Sequence, residues 1–125
     1  MRNFTQNITL EMVSDVLCSA FEGGSNSWYW IDEFIDPTIW EFDSDPHDQH
    51  KHYAQDYPLN PGGALFIRDM NDETIVCLDW EAVQKGLDIM ASQYPNHFVD
   101  MLSEDYDAIT GDVLLQCCCF SEVIY

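Results

Sequence analysis

The segment "EFDSDPHDQHKHYAQDYPLNPGG", Glu41 to Gly63, sets His47, His50 and His52 among Asp43, Asp45, Asp48 and Asp56. Imidazole and carboxylate are the donors of zinc and manganese sites, so the chemistry these residues could do is metal binding, structural or catalytic. A zinc ion needs three or four such donors converging at about 2.0–2.3 Å. The spacing His-x-x-His-x-His meets that demand only if the backbone curls tightly, because on a helix His47 and His50 share a face and His52 points elsewhere. Neither His-Glu-x-x-His nor paired Cys-x-x-Cys, the spacings that carry a specific zinc signal, occurs. Against the metal site stands a solvated acidic loop whose histidines soften local repulsion, and the composition weighs toward that loop. No cofactor is implied.

Other reactive patterns are thinner. Gly23–Gly24 and Gly62–Gly63 do not continue into a phosphate-cradling Gly-x-Gly-x-x-Gly or a P-loop, and read as a helix stop and a turn. Cys117, Cys118 and Cys119 sit in an apolar run, where a thiol behaves as a small buried hydrophobe rather than a nucleophile. Carboxylate pairs can be drawn almost anywhere among 23 acids and so single out no acid and base. The chain therefore reads as a binding protein and not as an enzyme.

The elements that must position these residues follow from periodicity. Residues 9–24, "TLEMVSDVLCSAFEGG", read as a helix capped by Thr9 and stopped by Gly23, with Met12, Val13, Val16, Leu17, Ala20 and Phe21 inward. "SWYWIDEFI" reads as a strand. Residues 36–63 are long for a loop and imply a function or short local structure. "ALFIRDM" and "ETIVCLD" flank Asn71 and Asp72, which tolerate the left-handed conformation, and predict a tight antiparallel hairpin. "DWEAVQKGLDIMASQYP" predicts a helix from Asp79 to Pro95, weakened in its middle by Gly86. "HFVDMLSED" adds a short helix. The closing run is long enough for another, with Val113, Cys117, Phe120 and Ile124 at helical spacing. The class is α+β, a single domain over residues 1–125 with a small antiparallel sheet of about three strands packed by two to four helices.

Charge is the most specific feature. A formal net charge of −19, from 23 acids against Arg2, Lys51, Arg68 and Lys85, repels nucleic acid and anionic membranes and draws the chain to basic protein surfaces. Disorder does not explain it, since the chain carries four Trp, six Tyr and seven Phe. Asp32, Glu33, Asp36, Glu41, Asp43, Asp45, Asp48 and Asp56 share their stretch with Lys51 as the only Lys or Arg, and Asp100, Glu104, Asp105, Asp107 and Asp112 have none. Such one-sided clusters fit either solubility or a mimic of nucleic-acid phosphates. The partner-binding candidates are Asp32, Glu33, Asp36, Glu41, Asp43, Asp45, Asp48, Asp105 and Asp107, with Trp40 as an aromatic anchor and Trp28, Tyr29 and Trp30 either anchors or core. The fifteen Asp to eight Glu suit a rigid acidic surface. Five cysteines, three of them adjacent, suit reduced thiols in a cytoplasmic setting, and no stretch approaches a membrane span.

Two stretches, "AFEGGSNSWYW" (residues 20–30) and "YDAITGDVLLQCCCFSEVIY" (residues 106–125), resemble an uncharacterised family of small acidic bacteriophage and prophage proteins. The resemblance implies a phage setting, hence the host cytoplasm, and transfers no functional residue. The resulting expectation is a phage-type acidic inhibitor that binds a basic host protein, a nucleic-acid-binding defence protein foremost. Two alternatives stand beside it: a metal-binding protein or metal-dependent enzyme using His47, His50 and His52, and a homo-oligomeric structural or ligand-sequestering protein.

Overall fold

The computed structural model describes residues 8–24, 28–45 and 52–125. Its elements are α1 (Leu10–Ser19), β1 (Tyr29–Ile35), a 3-10 turn (Ala54–Leu59), β2 (Ala64–Asp69), β3 (Ile75–Leu78), α2 (Trp80–Gln93), α3 (Pro95–Leu102) and α4 (Ala108–Phe120). The three strands form one antiparallel sheet in the order β1-β2-β3, and the fold is α+β.

Side-chain caps start α1, α2 and α4. Thr9 is extended and its hydroxyl accepts the Met12 N–H at 3.1 Å, while Asp79 accepts the Ala82 N–H at 2.9 Å. Each bond satisfies a donor that the first helical turn leaves without a partner. Asp107 caps α4 through the Thr110 N–H at 3.0 Å, and the Thr110 hydroxyl accepts the Asp107 N–H at 3.4 Å. Pro95 ends α2 as expected and also opens α3, at a position where its missing N–H costs nothing. Gly23 does not stop the first helix sharply; the chain stays wound in a π-helical turn, Ala20–Gly24.

The hairpin forms with a longer connection than a two-residue turn. Its left-handed residue is Glu73 (φ 61°), not Asn71 or Asp72. Asp69 accepts the Asn71 N–H at 2.8 Å, and Asp72 accepts the N–H and hydroxyl of Thr74 at 3.0 and 2.8 Å. These side chains hold the loop by bonding its backbone, as aspartates do in turns.

The core is built around α4. Leu114, Leu115 and Gln116 are consecutive and each is 0% exposed, so the middle of this helix is covered on all sides and shows no single buried stripe, while Ile109 near its start is 63% exposed. Val113 and Cys117 are buried as expected, but so is Cys118 between them and the helix end. The helix closes at Phe120 with Ser121 left-handed (φ 64°), so Ile124 lies beyond it and is exposed. Two glycines let the neighbours come close. A Cβ on Gly86 of α2 would stand 2.8 Å from both the Cα and the backbone nitrogen of Cys118. One on Gly111 of α4 would meet the Val16 carbonyl oxygen at 2.6 Å and the Ala20 nitrogen at 2.7 Å. Gly86 thus marks a helix contact rather than a weak point.

Past α4 the chain folds back and is pinned by a buried amide. Gln116 Oε1 accepts the N–H groups of Ile124 and Tyr125 at 2.9 and 2.8 Å, while its Nε2 donates to Asp112 at 2.8 Å. Asp112 also accepts the Trp28 indole N–H at 2.7 Å, and the Tyr125 ring lies nearly parallel to that indole. The Tyr125 hydroxyl donates to the buried Asp69 carboxylate at 2.7–2.8 Å. Asp107 and Asp112, acids of the second charged cluster, are therefore employed inside the fold.

Gly86→Ala is expected to cost about 1–3 kcal/mol, as overpacking against backbone does, and urea denaturation should show the midpoint fall. Native thiol labelling should reach exposed Cys77 well before buried Cys117 and Cys118, whose rates should rise to that of Cys77 only on unfolding.

Candidate functional site

The segment that opened the sequence reading is organised by Asn60, which is 1% exposed. Its Oδ1 accepts the N–H groups of Glu41 and Phe42 at 2.7 and 2.6 Å, and its Nδ2 donates to the carbonyls of Phe42 and Asp56 at 2.9 and 2.8 Å. Thr38 N–H adds a bond to the Pro61 carbonyl at 3.0 Å. The chain leaving β1 is thereby laid against the 3-10 turn and Pro61. Asp43 and Ser44 arrive opposite Asp56 as a result.

Asp43, His52 and Asp56 each present one donor atom, all within 4.8 Å of one another. The scaffold engages one oxygen of each carboxylate. Asp43 Oδ1 accepts the Asp45 N–H at 3.0 Å, and Asp56 Oδ2 accepts the hydroxyl and N–H of Ser44 at 3.0 and 3.3 Å. Asp43 Oδ2 lies 3.8 Å from His52 Nδ1. Asp56 is 0% exposed, yet its Oδ1 has no hydrogen-bond partner among the described residues, and neither has the buried Nδ1 of His52. A buried acceptor left unpaired costs about 1–3 kcal/mol. Burial raises the Asp56 pKa, opposed by the Ser44 bonds. The imidazole plane is set by Trp40, whose ring stacks on it at 3.6 Å and 3°, and Tyr57 packs edge-on against Trp40.

His52 is the one member of the expected histidine cluster that this constellation contains; His47, His50 and Asp48 lie outside the described residues, as does Lys51. Trp40, expected as an exposed anchor, is half-buried in the stack. Trp28 and Tyr29 are core, and Trp30 is 60% exposed. Asp32 grips Arg68 through two bonds at 3.1 and 3.2 Å. Glu33, Asp36, Glu41 and Asp105 are exposed, and Asp43 and Asp45 are half-buried beside Ser44. Sequence reasoning missed Ser44 and Asn60. Their only signal was polarity within a segment already marked as unusual.

Elsewhere like charges meet across the fold. Glu11 and Asp15 on α1 and Glu104 after α3 lie close enough that, after burial, the two glutamates are what raise the Asp15 pKa. Nothing in the cysteine run is activated. Burial pushes the Cys117 and Cys119 thiols up to about 12 and raises the Cys118 thiol well above its ordinary value. A groove of about 480 Å³ over the sheet, lined by Phe66, Cys77 and Trp80 among others, also lacks a poised nucleophile, because burial and Asp79 raise the Cys77 pKa. No helix among the described residues is long and apolar enough to cross a membrane.

Compared with models of protein families, with curated proteins and with solved structures, the chain matches none. The site's meaning rests on its own geometry.

These shifts give stability a definite pH profile. Asp15 and Asp56, raised above 3.8, bind protons more readily when folded, so stability grows as pH falls from neutral through their folded pKa values. Asp72 and Asp107, lowered by hydrogen bonds from Thr74 and Thr110, contribute stability above 3.8 that is lost as pH falls through their folded values. Thermal unfolding across pH should therefore show a maximum on the acid side of neutrality, above about pH 4. Asp15→Asn should raise stability at pH 7 by about 0.2–0.5 kcal/mol for removal of the i,i+4 repulsion with Glu11, seen as a higher Tm, and flatten the rise toward acid.

Proposed function

We propose that this chain is an acidic binding protein whose ligand is a basic protein surface, and that it competes there with nucleic acid. The observation that carries the reading lies along β1 and the loop leaving it, where exposed apolar groups alternate with exposed acids. Trp30, Phe34 and Ile39 are 60%, 49% and 60% exposed, and Glu33, Asp36 and Glu41 stand exposed among them. Exposed apolar groups interspersed along the chain with exposed acids suit a partner that offers apolar pockets within a basic field. Only Arg68 and Lys85 supply Lys or Arg cations among the described residues, and Arg68 is occupied by Asp32. The field over this surface stays negative, which speeds encounter with a basic partner and repels phosphate backbones.

β1 is also an edge strand, paired on one side only by β2. Its register slips between Ile31 and Glu33, and Asp32 falls in the slip. A bulge and charged side chains are the features by which proteins keep an edge from pairing with another sheet, so side chains rather than strand addition are the mode of contact proposed for β1. An inhibitor that fills the groove of a nucleic-acid-binding protein needs this combination: phosphate-like charge for attraction and aromatic anchors for residence. The resemblance of the two chain ends to phage proteins makes bacterial basic proteins the first to try.

The test is capture of partners on immobilised protein from a bacterial lysate at low and high salt, followed by competition of the captured partner with duplex DNA. Glu33→Gln, Asp36→Asn and Glu41→Gln together should slow association about tenfold at low salt with little effect on Tm. Trp30→Ala should instead speed dissociation. A partner that binds equally at high salt, keeps its nucleic acid in the complex and ignores the triple variant would overturn the reading.

A further inference from the structure

We propose that Asp43, His52 and Asp56 form a binding site for one divalent metal ion of the zinc and manganese class. The donor set is one imidazole nitrogen and two carboxylate oxygens, a mixture that suits these ions better than magnesium or calcium, which favour oxygen alone. Three features separate this cluster from a chance meeting of surface acids. Asp56 is wholly buried, with Oδ1 unpartnered among the described residues and Oδ2 fixed by Ser44. Asp43 is turned in the same way, its Oδ1 held by the Asp45 N–H while Oδ2 faces His52. The His52 ring is oriented by its stack on Trp40, and its Nδ1 is buried without a hydrogen-bond partner. Outer groups that fix a ligand's orientation are the usual support of a metal centre.

The dimensions are compatible with a site that closes on its ion. Donors at about 2.0–2.2 Å from a tetrahedral ion stand about 3.4 Å apart, so atoms now within 4.8 Å must draw in by about 1 Å. Asp43 and His52, at 3.8 Å, are already near that separation. Three protein donors leave a fourth position for water. Ligation would join residues 43, 52 and 56 and so tie the loop after β1 to the 3-10 turn. It would also remove the unpaired acceptor on Asp56.

The experiment uses the full chain without a histidine tag, stripped of metal with a chelator and titrated separately with Zn²⁺, Mn²⁺ and Co²⁺ by calorimetry. One equivalent of Zn²⁺ or Mn²⁺ should bind and raise Tm. The cobalt form should show visible d–d bands without the near-ultraviolet charge-transfer band of a thiolate ligand. Asp43→Asn and His52→Gln, both at half-exposed positions, should each weaken binding at least tenfold while the metal-free Tm stays unchanged. Asp56→Asn should do the same; if it misfolds, the other two variants carry the test. The Cys77→Ser variant and the His47→Gln, His50→Gln double variant should bind as the parent does. The proposal is overturned if none of the three ions binds stoichiometrically, if cobalt shows a thiolate band, if Asp43→Asn and His52→Gln keep full affinity, or if affinity is lost only in the His47, His50 variant.

Discussion

Everything in this molecule leans on how closely α1 and α2 approach α4. With Leu114, Leu115 and Gln116 wholly enclosed, the middle of the helix exchanges its water contact for contact with other elements. That is possible because Gly111 meets the backbone of α1 and Gly86 meets the backbone of α4, where a methyl group would hold the helices apart. The same packing buries Cys117 and Cys118 and raises the pKa of their thiols. It also leaves a polar group, Gln116, inside an apolar helix. All its capacity is directed at the returning chain and Asp112, so an amide that would be costly if unpaired becomes the clasp for residues 124 and 125.

The short side chain of aspartate explains much of the composition. Asp43, Asp69, Asp72, Asp79 and Asp107 each accept a backbone N–H two or three residues further along. Glutamate, one methylene longer, suits such local bonds less well, and this accounts for part of the excess of Asp over Glu. A share of the negative charge is thus structural. Other exposed acids, among them Glu33, Asp36, Glu41, Glu11, Asp15 and Glu104, make no such local bond among the described residues.

What the sequence made legible was local. Thr9 and Asp79 announced their helices because a cap and its target are three residues apart. The strands declared themselves through β-branched and aromatic runs, and the class followed from their order. Features that depend on partners far along the chain did not show. Nothing near Gly86 indicates that Cys118 will press on it, and an apolar run such as residues 113–120 has no period from which to read a face. Glu73 was overlooked because the turn was assigned by residue preference, whereas aspartate side chains decided it. In the candidate site the histidines attracted attention by type. Its cohesion comes instead from Asn60, which joins positions 18 residues apart, and from Ser44 orienting Asp56. Convergence of that kind is a property of the folded chain alone.

Chain order gives the central position of α4 a further meaning. The helices and the strand that pack on α4 all precede it in the chain, so a ribosome delivers most of the enclosure before the piece it encloses. Until residues 108–120 emerge, Val16 and Leu17 of α1 and Leu87 and Met90 of α2 have no α4 to pack against and remain available to other hydrophobic surfaces. Until that helix arrives, the nascent chain carries uncovered apolar faces of the kind that chaperones bind. The large negative charge has a use in that interval too, since mutual repulsion keeps incomplete chains from clumping through their uncovered faces.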